Sequence, residues 1–136
     1  RLEYKGSFNN IDVYDDYAHH PTELNALLQG VLNMGYKRIL CVFQPHTYTR
    51  TKALFDDFIK VLKIPDKVFL AEIYAAREQN TIGISSKQLS DRIEGSVYSP
   101  DFNELASLVK KEARPGDVVI TVGAGDIYKV GEKLLD

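Results

Sequence analysis

The sequence predicts an α/β fold: a mostly parallel sheet with helices on both faces and an antiparallel hairpin at its N-terminal edge. Three observations carry this expectation. Strand-like and helix-like segments alternate along the whole chain. The later strand-like segments, such as Arg38 to Phe43 and Asp117 to Val122, are near-continuous apolar runs, as in strands covered on both faces. No internal repeat, low-complexity tract or Pro/Gly-rich linker interrupts the pattern, so the 136 residues read as one domain, 1–136, around one core.

The elements follow in order. Phe8 to Tyr14 alternates and carries β-branched Ile11 and Val13, which predicts a strand. Leu2 to Lys5 would pair with it as a hairpin, with Gly6 and Ser7 in the turn. Leu24, Leu27, Leu28, Val31 and Leu32 recur at helical spacing, opened by Pro21 and closed near Gly35. After the Arg38 to Phe43 strand, Leu54, Phe55, Phe58, Ile59 and Leu62 mark a helix that stops before Pro65. Lys67 to Ile73 reads as another buried strand, Lys87 to Ile93 as a short helix, and Val97–Tyr98 as a short strand. Ser85 and Ser86 read as a helix cap. Phe102, Leu105, Ala106 and Val109 mark a helix ending before Pro115. The Asp117 to Val122 strand comes next, and Ile127, Val130 and Leu134 mark the last helix.

Composition narrows the function classes. Seventeen Lys and Arg against nineteen Asp and Glu leave a net charge of −2, which argues against a nucleic-acid-binding module and against a polybasic membrane anchor. No apolar run approaches the roughly 18 residues of a membrane span, and no signal peptide is visible. The single cysteine, Cys41, cannot form an internal disulfide and reads as a buried small hydrophobe. The chain begins at Arg1 without an initiator Met, which reads as a cut between domains.

In an open α/β sheet, ligands bind in the crevice beyond the carboxyl ends of the strands. The unusual polar residues fall there: Asp15 to Glu23 after the first long strand, Gln44 to Thr51 after the second, Tyr74 to Glu78 after the third, and Gly123 to Asp126 after the last. All three histidines lie in the first two of these segments. Each group has a plain reading beside a functional one. Asp15 and Asp16 could cap a helix, contribute with His19 and His46 to a mononuclear metal site of a hydrolase, or accept hydrogen bonds from a ribose. Arg50 could pair with Asp56 or Asp57, or its guanidinium fork could hold a carboxylate bidentately. Gly123-Ala124-Gly125 could be a tight strand-to-helix turn or let backbone N–H groups approach an anion. Neither G-x-G-x-x-G nor G-x-x-x-x-G-K-[ST] occurs, so if ATP is used its main phosphate grip lies elsewhere.

Asp15-Asp16-Tyr17-Ala18-His19-His20-Pro21-Thr22-Glu23 resembles a C-terminal-domain motif of the Mur ligase family of bacterial peptidoglycan synthesis. Phe43-Gln44-Pro45-His46-Thr47-Tyr48-Thr49-Arg50-Thr51, Ile73-Tyr74-Ala75-Ala76-Arg77-Glu78 and Gly123-Ala124-Gly125-Asp126-Ile127 resemble three more, in the family's order, and the resemblance runs from about Leu2 to Leu135. It implies a Rossmann-like third domain of a three-domain, ADP-forming ligase that joins L-alanine to UDP-N-acetylmuramate in the bacterial cytoplasm. ATP would activate the lactyl carboxylate, with Mg2+ and ATP held mainly by upstream domains of the same chain, and the amine would then attack. The third domain would position the amino acid and exclude water, and no residue in it would carry out bond chemistry, so this chain alone is expected to be inactive.

By the same resemblance, Asp16 and Tyr17 would contact the nucleotide, His19 and Arg50 would hold the amino acid, and Gly123, Ala124, Gly125 and Asp126 would line the pocket. Thr47 stands where the family often has an arginine, which removes a second carboxylate contact, and Gln79 to Gly83 is less family-like. A related ligase that reattaches a recycled peptide to the same sugar nucleotide is the nearest alternative, and Glu23 favours the alanine enzyme. The metal-dependent hydrolase and a plain binding module for a nucleotide or small acid are the other two.

Overall fold

A computed structural model describes residues 1–136. The elements run β1 (Glu3–Phe8), β2 (Ile11–Asp16), α1 (Pro21–Leu32), β3 (Ile39–Phe43), α2 (Tyr48–Ala53), α3 (Phe55–Val61), β4 (Lys67–Leu70), α4 (Ser86–Asp91), β5 (Val97–Tyr98), α5 (Phe102–Glu112), β6 (Val118–Val122) and α6 (Tyr128–Leu134). One sheet contains all six strands in the order β1-β2-β6-β3-β4-β5. Strand β1 is antiparallel to β2, and every other pairing is parallel. This is the mostly parallel sheet with an antiparallel N-terminal edge that the sequence predicts.

The continuous apolar runs arise because each central strand feeds two cores. Ile39, Cys41, Phe43, Val118, Ile120 and Val122 pack against Leu24, Leu28 and Val31 of α1 and Phe58 of α3. Leu40, Val42 and Val119 point the other way, to Leu105 and Val109 of α5 and Val130 and Leu134 of α6. Cys41 is fully buried, and desolvation pushes its thiol up to about 12, so it is an inert packing residue.

Three local expectations are corrected. The hairpin turns at Asn9–Asn10 (φ 49° and 63°), not at Gly6–Ser7; Phe8 pairs with Ile11 across this two-residue loop, and asparagine tolerates the left-handed backbone it needs. Gly6 instead lies inside β1, where the register shifts between Tyr4 and Gly6. A separate helix, α2, forms where the sequence reads as loop. It buries only Thr51, so no apolar periodicity announces it. Strand β4 ends at Leu70 rather than Ile73, because the Glu72 carboxylate accepts the Ile73 N–H and the Ser86 N–H and draws the chain off the ladder.

Candidate functional site

Asp16, Val122, Phe43 and Leu70 end their strands side by side: Asp16 pairs with Val122, Val122 with Phe43, and Phe43 with Leu70. The four polar segments therefore leave the sheet along one edge, as parallel pairing requires.

The first segment divides its two histidines between fold and site. His20 is the N-cap of α1, its Nδ1 accepting the Thr22 N–H at 3.1 Å. Glu23 closes this capping box by accepting the His19 and His20 N–H groups, each at 3.1 Å. The His19 N–H holds the Glu23 carboxyl below the usual range despite some desolvation. His19 Nδ1 lies 3.1 Å from the Tyr17 carbonyl, which fixes the ring's orientation. Its ring lies beside that of His46, with centroids 5.8 Å and planes 54° apart. Asp16 is nearly buried and accepts the Ala18 N–H at 2.8 Å, while Tyr17 is 71% exposed.

The second and third segments are built together. Pro45 O accepts the Tyr74 N–H, and Tyr74 O accepts the Thr47 N–H, both at 2.9 Å. The Tyr74 ring stacks on His46 with centroids 5.3 Å apart and planes 19° apart. His46 Nδ1 is buried with no hydrogen-bond partner. Burial first, and then the nearby His19 and Arg50, hold the His46 pKa below its ordinary 6.5. Thr47 has φ 67°; its hydroxyl accepts the Arg50 N–H at 3.3 Å and its carbonyl accepts the Thr51 hydroxyl at 2.7 Å. Position 47 thus starts α2. Arg50 itself is half-buried, and its guanidinium has no partner; it pairs with neither Asp56 nor Asp57.

The glycine segment is shaped by its neighbours. A Cβ on Gly125 would stand 2.5 Å from the Tyr74 ring, and one on Gly123 (φ +152°) 2.8 Å from the Gln44 carbonyl. Gln44 Nε2 donates to Asp126 Oδ1 at 3.0 Å, and the Asp126 N–H donates to Gln44 Oε1 at 3.2 Å. The Gly123 N–H is taken by the Asp16 carbonyl at 3.0 Å. With the Gly123 and Asp126 amides both engaged, close packing against Gln44 and Tyr74 accounts for the small residues. Ala124 is half-buried in the same segment.

Two neighbouring subsites result. His19, His46, Tyr74 and Arg50 stand on one side. On the other, Asp15, Tyr17, Gly123, Gly125 and Tyr128 line a cleft of about 770 Å3 together with the β1 end of the chain. A smaller groove of about 510 Å3, between α1 and α3, is lined by Asn25, Asp57 and Lys60 and by none of the sequence-predicted site residues. Sequence reasoning weighed His46 only as a metal ligand and left Tyr74, Gln44 and Glu78 out of the candidate residues, although all four stand in motifs it singled out.

The Asp/His cluster does not assemble as a metal site. Asp15 accepts the Thr121 hydroxyl at 2.6 Å, and its burial raises its pKa despite that bond. No group of three or more His, Cys, Asp or Glu side chains converges anywhere in the chain. No helix is long and apolar enough to cross a membrane.

The family model described as "Mur ligase, glutamate ligase domain" matches residues 1–125. The UDP-N-acetylmuramate–L-alanine ligase of Acetivibrio thermocellus is 52% identical over 99% of this chain, and that of Lachnospira eligens 50% over 99%. The chain spans about 30% of the length of each of these relatives. Among solved structures, the UDP-N-acetylmuramate-alanine ligase of Thermotoga maritima superposes with a TM-score of 0.74 at 26% identity, covering 98% of this chain and 28% of that one. A domain described as part of a UDP-N-acetylmuramate:L-alanyl-γ-D-glutamyl-diaminopimelate ligase of Haemophilus ducreyi gives 0.76 at 28% identity, covering 99% and 97%. With four motifs on one sheet edge, the predicted mostly parallel sheet with its antiparallel edge and a family match over most of its length, the chain belongs to the Mur ligase family.

Proposed function

We propose that residues 1–136 form the amino-acid-binding domain of an ATP-dependent ligase of the bacterial cytoplasm that joins L-alanine to UDP-N-acetylmuramate. The observation that carries the reading is Arg50, a half-buried guanidinium without a partner, set beside His19 and His46 at the strand ends. An amino-acid carboxylate supplies the missing acceptor and matches the fork of donors. His46, biased toward its neutral form, adds no second cation that would have to be desolvated beside the substrate's ammonium group. Thr47, engaged in starting α2, leaves Arg50 as the cation for that carboxylate. Holding the amine in a fixed place is the domain's contribution to the reaction.

ATP and Mg2+ supply the activation of the sugar's lactyl carboxylate. Tyr17, which lines the 770 Å3 cleft, and its chain neighbour Asp16 at the end of β2 suit the nucleotide's base and ribose side. Asp15 and Asp126 at the strand ends are each engaged and no three His, Cys, Asp or Glu side chains gather as a Mg2+ cage, so the metal and the phosphate grip are assigned to upstream domains of the full-length protein. The alanine reading is supported over the recycled-peptide ligase by relatives at 50–52% identity that are L-alanine ligases; the solved structures do not separate the two, with the T. maritima alanine ligase at 26% and the H. ducreyi domain at 28%.

The test is Arg50→Ala in the full-length protein. Loss of a charge-assisted, bidentate contact raises the L-alanine KM by about 10- to 100-fold and leaves the ATP KM nearly unchanged. Equal effects on both, or a preference for a tripeptide over L-alanine, would sink the assignment. Amide formation by residues 1–136 alone would sink the division of labour.

A further inference from the structure

We propose that Glu78 is a positioning residue: it reaches from the segment between β4 and α4 to hold helix α2, and through α2 it fixes Arg50. This rests on the reading that Arg50 receives the amino-acid carboxylate.

The geometry is specific. Glu78 Oε1 accepts the Tyr48 N–H at 2.7 Å and the Thr49 N–H at 3.1 Å, and Oε2 accepts the Thr49 hydroxyl. The first N–H groups of a helix have no partner within it, and a carboxylate there is favoured both as an acceptor and by the helix dipole. These bonds, with the Thr49 hydroxyl foremost, hold the Glu78 carboxyl below the usual range. With both oxygens directed to α2, Glu78 leaves the Arg50 guanidinium without an acceptor. It acts on the helix that carries Arg50 and makes no hydrogen bond to the guanidinium, whose nearby charge helps to hold the Glu78 carboxyl down.

Helix α2 needs such a tie. It has six residues and buries only Thr51, and a helix this short has little stability of its own. It starts at Thr47, whose positive φ is unfavourable for a β-branched residue. The segment that delivers Glu78 is itself braced. Glu72 anchors its root through Tyr98, Ser85 and the Ile73 and Ser86 amides. Tyr74 bridges to Pro45 and Thr47. Ala76 makes the turn in the left-handed region, and the Glu78 N–H closes on Ala75 O at 3.0 Å. Arg50 is therefore held from outside its own helix, across a sequence separation of 30 residues.

The experiment compares Glu78→Ala, Glu78→Gln and Arg50→Ala, singly and as the Glu78→Ala/Arg50→Ala pair, in the full-length ligase. Glu78→Ala is expected to raise the L-alanine KM about tenfold while the ATP KM stays within about twofold. Glu78→Gln keeps an Oε1 acceptor for both amides, so its L-alanine KM stays within about threefold of the parent. In the Arg50→Ala background, Glu78→Ala adds nothing, because the side chain it positions is gone. An unchanged L-alanine KM in Glu78→Ala, a parallel rise in both KM values, or a Gln variant as impaired as the Ala variant overturns the proposal. If Arg50→Ala itself leaves the L-alanine KM unchanged, the carboxylate reading falls, and amide hydrogen exchange then decides on Glu78. Faster exchange at Tyr48 and Thr49 in Glu78→Ala supports its hold on α2, and unchanged exchange overturns it.

Discussion

Arg38 immediately precedes β3 and Arg50 lies in the helix that follows it, so one strand has a cation beyond each of its ends. At the amino end, every donor group of Arg38 is directed to an acceptor. Nε and Nη2 grip both oxygens of Asp117 at 3.2 and 2.8 Å, Nη1 bonds Glu112 Oε2 at 2.9 Å, and Nη2 also reaches the Glu112 carbonyl at 2.9 Å. Asp117 raises the Arg38 pKa further above its ordinary value, and Arg38 in turn holds Glu112 below the usual carboxylate range. At the carboxyl end, Arg50 has no acceptor, and the adjoining His46 has a buried, unpartnered Nδ1. One arginine is completely satisfied and the other left open beyond the two ends of one strand, so the charge at the amino end is structural and, on the proposed reading, the charge at the carboxyl end is left for the ligand.

The sharpest way to break this contrast is at the satisfied end. Asp117 is 2% exposed, so Asp117→Ala leaves the half-buried Arg38 with Glu112 alone and also strips an acceptor from the Arg114 N–H. Losing these charge-assisted bonds costs about 3 kcal/mol, read as a fall in the denaturant midpoint of the domain, with the L-alanine and ATP KM values of the full-length protein unchanged. Arg50→Ala should do the reverse, changing folding stability by less than about 0.5 kcal/mol while weakening amino-acid binding by about 1.5–3 kcal/mol. If Arg50→Ala destabilised the fold as much as Asp117→Ala, the division between the two ends would be lost.

A third, smaller effect tests the wall between the subsites. Gly125→Ala places a methyl group 2.5 Å from the Tyr74 ring, an overpacking of about 1–3 kcal/mol that pushes the ring from its stack on His46. Tyr74→Ala should open the space and relieve most of that cost, so thermal unfolding of the double variant should fall short of additivity.

The two ends also differ in how far the sequence reveals them. Strand β3 and its helical neighbours were legible because apolar periodicity reports burial, and burial decides those elements. The gathering of the four polar segments was legible too, because parallel strands bring their carboxyl ends to one edge. Its detailed construction was not. Helix α2 is specified by Thr47 and by Glu78, a residue far away in sequence, so no local window contains its cause. The glycines at 123 and 125 allowed an anion loop as readily as close packing, and only the Gln44–Asp126 pair and the Tyr74 ring reveal the close packing. Asn9–Asn10 was a readable turn signal that Gly6 obscured.

The smallest expected effect is electrostatic, and it makes the open arginine visible without any assay of catalysis. Burial, then His19 and Arg50, depress the His46 pKa below 6.5. The unfolded chain takes up this proton at the ordinary value while the folded chain resists it. His46 therefore contributes stability that is complete above pH 6.5 and is lost as the pH falls through 6.5 toward the lowered folded value. Glu72 and Glu112 act in a separate, more acidic window: their folded pKa values lie below 4.5, so their contribution is complete above that value and is lost as the pH falls beneath it. Arg50→Gln removes a like charge beside His46, so the histidine's titration, followed by NMR on the ring protons, should move up toward 6.5. An amino-acid carboxylate seated on Arg50 should move it the same way in the parent protein, by cancelling the same charge. The corresponding substitution Arg38→Gln should leave that titration where it was. A His46 titration indifferent to Arg50→Gln would mean that the guanidinium points away from the histidines, and the open end of the strand would lose its claim to the carboxylate.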